Sequence, residues 1–226
     1  MKLILTTTLL LCSTLFCLAQ GTVTHTLGKF TELKVYDRIV VNLIKGDVNK
    51  LVILDKDKAD IKILESDGTL KLKLLRENFL ASSPVDIQLY YTEPLTVIDA
   101  NENAKITAST VLKGLEVEIM AQEAAYVSLA LNTEFATVKS ISGSEIQLKG
   151  TTKVQDVYVN TGAKVFNKNL KTEETTVMVL AGGYAEVHGT AKVITKVKAG
   201  STIIVYGKPK NLEKDDTFGG KIEVKQ

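Results

Sequence analysis

The sequence predicts an all-β fold in which an N-terminal antiparallel hairpin region leads into a parallel β-helix, or solenoid, and three observations predict it. Val, Ile, Leu and Thr alternate with polar residues through most of the chain, the two-residue period of strands, and no convincing i, i+3, i+4, i+7 stripe marks a helix. A short unit of small residue, any residue, then Ile or Val returns about every 19 residues in the second half. Small residues, mostly glycine, precede most copies, where a tight corner calls for positive φ.

The elements follow in order. Lys2, the apolar run from Leu3 to Leu11 and the small residues of Cys17-Leu18-Ala19 read as a secretory signal over residues 1–19, cleaved between Ala19 and Gln20. The apolar run is shorter than the ~20 residues of a membrane span. No second long run follows, so no integral span is expected in the mature chain. Cys12 and Cys17 are the only cysteines. Neither follows the small residue that lipoprotein processing requires, so lipidation of Cys17 is not expected. Without them the mature chain has no disulfide to rely on.

After a short segment at 20–29, residues 30–93 read as hairpins. Leu33 and Val35 alternate with Lys34 and Tyr36, and Ile39, Val41 and Leu43 lead to a Lys45-Gly46-Asp47 turn before Leu51 and Ile53. Ile61 and Ile63 are joined to Leu70, Leu72 and Leu74 through Asp67-Gly68, whose residues both tolerate positive φ. Residues 77–84 read as a loop, and Val85, Ile87, Leu89 and Tyr91 as a further strand.

Residues 94–226 repeat. Ala104-Lys105-Ile106 returns as Ala125-Tyr126-Val127, Ser144-Glu145-Ile146, Ala163-Lys164-Val165 and Ala185-Glu186-Val187, then more loosely as Ser201-Thr202-Ile203 and Gly220-Lys221-Ile222. About seven short rungs are expected, with a right-handed coil favoured because hexapeptide spacing is missing. Ile106, Val127, Ile146, Val165, Val187, Ile203 and Ile222 should form an inward ladder. The preceding residues (Lys105, Tyr126, Glu145, Lys164, Glu186, Thr202 and Lys221) should face outward and pair between rungs.

The opening Phe30-Thr-Glu-Leu-Lys-Val, the Lys45-Gly46-Asp47 turn, Asp67-Gly68-Thr-Leu70, Tyr91-Thr-Glu-Pro94-Leu95 and the serial small-Gly-x-x-Ile/Val units resemble the GIN-domain family of autotransporter-adhesin head domains. Ile203-Ile-Val-Tyr206-Gly207-Lys-Pro209 and Gly219-Gly220-Lys-Ile222 belong to the same pattern. The resemblance spans residues 28–226 and implies a two-part all-β architecture with an adhesin-like role. It brings no catalytic residues. The chain departs from the pattern at Ala100-Asn101-Glu102-Asn103 and Ala121-Gln122-Glu123-Ala124, where Ser-Gly pairs would be usual, and this puts the first two corners in question.

Charge and side-chain chemistry narrow the function. Lys and Arg number 28 against 26 Asp and Glu, so nothing electrostatic argues for nucleic acid. The only histidines are His25 and His188, neither spaced with ligands for zinc, and His188 reads as an exposed or corner residue. Asp55, Asp57 and Asp60 lack the spacing of a calcium loop and read as a solvated turn. Asp215 and Asp216, adjacent in sequence, suit a surface turn better than a carboxylate pair acting across a glycosidic bond. Gly143-Ser144 and Gly200-Ser201 are not nucleophile elbows, and Gly182-Gly183 is not a phosphate loop. Tyr126, Tyr158, Tyr184 and Tyr206 sit at different rung positions and are not expected to form one sugar-stacking platform. No catalytic, cofactor-binding or metal-binding residue is assigned. The expected function is an exported, non-enzymatic adhesin-like or envelope module in the periplasm, at the outer-membrane surface or outside the cell. Its partner would be a glycan, a protein or another copy of itself. The alternatives are a polysaccharide-cleaving β-helix lyase or glycosidase, argued from fold alone, and a self-assembling periplasmic scaffold.

Overall fold

Two parallel walls of strands, joined by a recurring tight corner, organise the molecule. The computed structural model describes residues 21–54, 61–75 and 84–225, and its twenty regular elements are all strands. Cys12, Cys17, the Ala19/Gln20 junction, Asp55, Asp57, Asp60 and residues 77–83 of the expected loop lie outside the described residues. No helix among the described residues is long and apolar enough to cross a membrane.

Wall A stacks, in spatial order, β6 (Thr69–Leu74), β2 (Glu32–Val35), β8 (Val97–Ala100) and β11 (Glu116–Ala121). It continues through the second halves of β12 (Tyr126–Ser140) and β13 (Glu145–Val159), then β15 (Glu174–Val179), β17 (Lys192–Lys198) and β19 (Asn211–Thr217). Wall B stacks β7 (Val85–Tyr91), β3 (Ile39–Lys45), β9 (Lys105–Ala108) and the first halves of β12 and β13. It ends with β14 (Lys164–Lys171), β16 (Tyr184–His188), β18 (Thr202–Tyr206) and β20 (Lys221–Val224). Every neighbour within either wall is parallel. A third, less regular side closes each turn, and there β10 (Leu112–Lys113) pairs with Leu131 and Asn132.

From Val97 onward the two walls make about seven turns, the expected solenoid. The N-terminal region holds the expected antiparallel pairs, but it also does more. β1 (Val23–Thr26) pairs with β4 (Lys50–Ile53), β4 with β7, and β5 (Ile61–Ser66) with β6 through the Asp67-Gly68 turn. Meanwhile β2 with β3, and β6 with β7, join the parallel stack. Lys45-Gly46-Asp47 therefore does not close a hairpin between paired strands, because β7 lies between β3 and β4. Burial explains the arrangement. Val41 sits beside Ile87 on one side and Ile106 on the other, all inward, and a simple β3–β4 hairpin would leave one of those contacts unmade.

The corner between walls A and B takes two consecutive residues of positive φ. They are Asp37/Arg38, Glu102/Asn103, Glu123/Ala124, Ser142/Gly143, Thr161/Gly162, Ala181/Gly182, Ala199/Gly200 and Phe218/Gly219. Most close with a hydrogen bond from the fourth residue to the first, as from Ser144 N–H to Ile141 O at 3.3 Å and Ala163 N–H to Asn160 O at 3.3 Å. The two corners in question keep the same shape without glycine, with φ of 54° and 61° at Glu102 and Asn103 and 53° and 59° at Glu123 and Ala124. What holds them is a second ladder. The Asn103 N–H donates to Glu123 O at 2.9 Å, Ala124 to Ser142 O at 3.0 Å, Gly143 to Thr161 O at 3.0 Å and Gly162 to Ala181 O at 3.0 Å. Each corner thus satisfies the backbone of the next.

The core runs up the inside. Ile106, Val127, Ile146, Val165 and Ile203 are fully buried, as the inward ladder requires, and Ile222 is half-buried on the last rung. One member is corrected. Val165 pairs with Ala185, and Ala185 with Ile203, so Ala185 rather than Val187 occupies that rung, and Tyr184 rather than Glu186 occupies the outward position before it. Val187 also points inward, one step further on, beside Val205. Each buried Val or Ile contributes roughly 1.5–3 kcal/mol.

Candidate functional site

Regularity breaks once among the described strand pairs. β13 and β14 run in register from Glu145/Lys164 to Gln147/Phe166 and resume at Lys149/Asn169, so β14 holds one extra residue opposite Leu148. The inserted backbone would leave the Leu148 N–H unpaired, and the fully buried Asn167 supplies a replacement acceptor, its Oδ1 taking that N–H at 3.2 Å. Two rungs later the chain shortens, since Glu174 pairs with Lys192, a step of 18 residues where the β13–β15 pairing steps 20.

Behind this irregularity lies a polar network inside the coil. Asn167 Nδ2 donates to Gln155 Oε1 at 3.2 Å, and Gln155 Nε2 donates to Thr175 Oγ1 at 3.1 Å. The His188 carbonyl, at the end of β16, accepts from Thr175 Oγ1 at 2.7 Å, from Gln155 Nε2 at 3.4 Å and from the Thr172 hydroxyl. Gln155, Asn167, Thr172 and Thr175 are all buried. His188 is therefore not an exposed residue: it ends β16 at the turn into β17 and is half-buried, with Nδ1 accepting the Thr172 N–H at 3.4 Å. Burial, with Lys171 alongside, holds its imidazole below the usual range.

In front of the irregularity, on the outer surface of wall B, a recess of about 380 Å³ opens. Phe166, Gln147, Lys149, Lys168, Asn169 and Glu186 line it. Glu186 is 8% exposed, although it lies on the outward face of β16. Its Oε1 accepts the Tyr184 hydroxyl at 2.9 Å, while Oε2 sits 3.4 Å from Lys168 Nζ without hydrogen-bonding geometry to any donor. Burial and that carboxylate push the Tyr184 phenol up to about 12. The Tyr184 ring supports Phe166 at 5.6 Å between centroids, tilted by 47°. Lysine, carboxylate, amides and one aromatic face thus converge on a small concavity built on strands.

The residues singled out from sequence fall elsewhere. His25 is exposed on β1. Asp215 and Asp216 lie within β19 and not in a turn; Asp215 faces Lys196 at 3.5 Å, and Asp216 takes the next register position, opposite Val197. Ser144 is fully buried and donates to Ala121 O at 2.7 Å, and Ser201 is buried and donates to Lys198 O at 2.7 Å, so both are corner struts. Gly182 and Gly183 form a corner. Tyr126 and Tyr184 share one outward column three rungs apart, Tyr158 lies on wall A, and Tyr206 lies beside His188. Among the described residues no three His, Cys, Asp or Glu side chains converge as metal ligands. Phe166, Asn167 and Glu186 were not read as a site. The extra residue in β14 is the signal that could have found them.

The chain belongs to the family described as "Putative auto-transporter adhesin, head GIN domain", whose model matches residues 29–209. The fold is similar to that of a putative adhesin from Bacteroides fragilis, with 16% identity, a TM-score of 0.82, and 91% of this chain and 96% of that one covered. A putative adhesin from Parabacteroides merdae, at 16% identity and TM-score 0.69, has the same coverage. A putative lipid binding protein from Parabacteroides distasonis, at 14% and 0.69, likewise covers 91% of this chain and 96% of its own. At these identities the likeness shows the fold alone. No curated protein matches the chain. Family membership supports an adhesin-like role.

Proposed function

We propose that the protein is an exported, non-enzymatic adhesin-like module that offers wall B to a macromolecular partner. The observation that carries the reading is the recess on the outer surface of wall B at the register shift, where Phe166, the Lys168–Glu186 ion pair and the amides of Gln147 and Asn169 converge on rigid strands. The stacked rungs hold the surrounding side chains on strands, so little ordering entropy opposes binding.

The test is location followed by attachment. Intact cells are treated with a protease that cannot enter them, and the chain is followed by immunoblot beside a periplasmic control. Loss of the chain with the control intact is expected, and the labelled protein should then bind host or neighbouring cell surfaces. Full protection until the outer membrane is opened would leave a periplasmic scaffold in place of an adhesin. Release of reducing or unsaturated sugar ends by the purified protein would replace the reading with an enzymatic one.

A further inference from the structure

The β19/β20 end of the coil carries a pair of open sheet edges. Among the described residues β19 pairs only with β17, and β20 only with β18. One row of backbone N–H and C=O groups on each is therefore free to take another strand. Leu212 and Ile222 are only half-buried there, and Val224 and Phe218 are exposed. Open edges beside apolar side chains form a template on which a second copy of the chain could stack.

Two side chains oppose such stacking. On wall A one inward column runs Val138, Val157, Val177, Thr195 and then Lys214, and its neighbour runs Val159, Val179, Val197 and then Asp216. Positions that carry neutral side chains on these earlier turns thus hold a lysine and an aspartate on the last one, both exposed at its open face. The register is pinned: the buried Thr195 hydroxyl donates to Glu213 O at 2.9 Å, and outside the coil Lys196 meets Asp215 at 3.5 Å. A strand laid on β19 would enclose Lys214 and Asp216, and a charge taken out of water is costly unless it is fully paired. A two-fold copy meets a second obstacle. Residues opposite each other in an antiparallel pair share a face, so the dyad between β19 and its copy falls on a residue, which then faces itself. Glu213, Lys214, Asp215 and Asp216 are all charged, and each would meet its own sign.

We infer that the β19/β20 turn is a built-in stop, in which inward-facing Lys214 and Asp216 keep the open edges from pairing with a second copy of the chain. The inference is independent of the adhesin-like reading, because it concerns the end of the coil and not wall B. It counts against a scaffold assembled end to end.

The experiment compares the protein in its exported form with K214V/D216V by sedimentation over about a hundredfold range of concentration, with amide exchange at β19 and β20 read at both extremes. The wild type should sediment as one species of constant size, its β19 and β20 edge amides exchanging equally fast at either extreme. The variant should form a larger species as concentration rises, with those edge amides slowing by about tenfold or more. At the lowest concentration its melting temperature should be no lower than that of the wild type, since both side chains are exposed in the single copy. Should K214V/D216V precipitate, K214M/D216N, which removes both charges with a smaller gain in apolar surface, decides by the same two readouts. Slowed exchange at β19 and β20 in the concentrated wild type overturns the stop. So does a charge-free variant whose sedimentation and edge exchange match those of the wild type at every concentration.

Discussion

Placing or removing a β-carbon at the wall A–wall B corners separates backbone strain from packing. Gly143 is the second residue of its corner, at φ +73°, and a β-carbon built there meets no heavy atom within 4 Å. Gly143→Ala therefore costs only what an L-residue costs in the left-handed region, ~1–2 kcal/mol. The stiffer unfolded chain returns ~0.4–1 kcal/mol of this. A net loss of about 1 kcal/mol is expected, a drop of ~2–4 °C in melting temperature for a chain of this length. Ala124 holds the equivalent place at φ +59°, so Ala124→Gly should change stability by a similar amount in the opposite direction. Gly150 is the contrasting case. At φ +108° its added β-carbon would lie 2.1 Å from Leu131 O and 3.1 Å from Leu131 N, which forces β12 and β13 apart. Gly150→Ala should cost more than ~3 kcal/mol. Urea midpoints and thermal melts of the three variants provide the readout. If Ala124→Gly destabilises, or if Gly143→Ala and Gly150→Ala behave alike, the corner ladder does not work as described.

Other perturbations address the core and the buried network. Ile146→Ala removes a fully buried rung of the ladder and should cost roughly 2–5 kcal/mol in urea unfolding. Asn167→Ala leaves the Leu148 N–H and Gln155 Oε1 without partners inside the coil, so a loss of about 2–4 kcal/mol is expected, with faster amide exchange at Leu148 as its local signature. His188 titrates below its unfolded value of ~6.5, so the unfolded chain takes up the proton first. Its contribution should be complete above that value and fall as pH drops through the folded one. Urea midpoints measured from about pH 8 to about pH 5 should show that decline, and His188→Gln should flatten it.

Much of this was legible because two requirements repeat. The corner needs positive φ at two successive residues, and from Glu102/Asn103 onward the first residue after it is small, so Ser144, Ala163, Gly183 and Ser201 signal the phase of each rung; Ile39, after Asp37/Arg38, is the exception. What failed was finer. Tyr184-Ala185-Glu186-Val187 places inward residues at both Ala185 and Val187, and a period of two offers either as the rung; only pairing with Val165 and Ile203 decides. The N-terminal strands misled for a different reason. Their alternation and turns were read correctly, but β7 inserts between β3 and β4 through contacts distant in sequence, which no local turn encodes. The recess escaped notice because Phe166, Asn167 and Glu186 look like ordinary strand residues until the extra residue in β14 is placed.

The order of the stack differs from the order of the chain. β2 and β3 are the first strands of the two walls in chain order yet sit between the β6/β7 layer and the β8/β9 layer, and from there each later layer lies on the far side only. The two ends of the stack therefore differ: antiparallel strands β4 and β5 pair with its β6/β7 end, and the latest strands of the chain form the other. A whole turn removed beside β19 and β20 would disturb one interlayer interface, because each layer contacts only its neighbours. Altering the β2/β3 layer, hemmed in on both sides, would disturb two such interfaces at once.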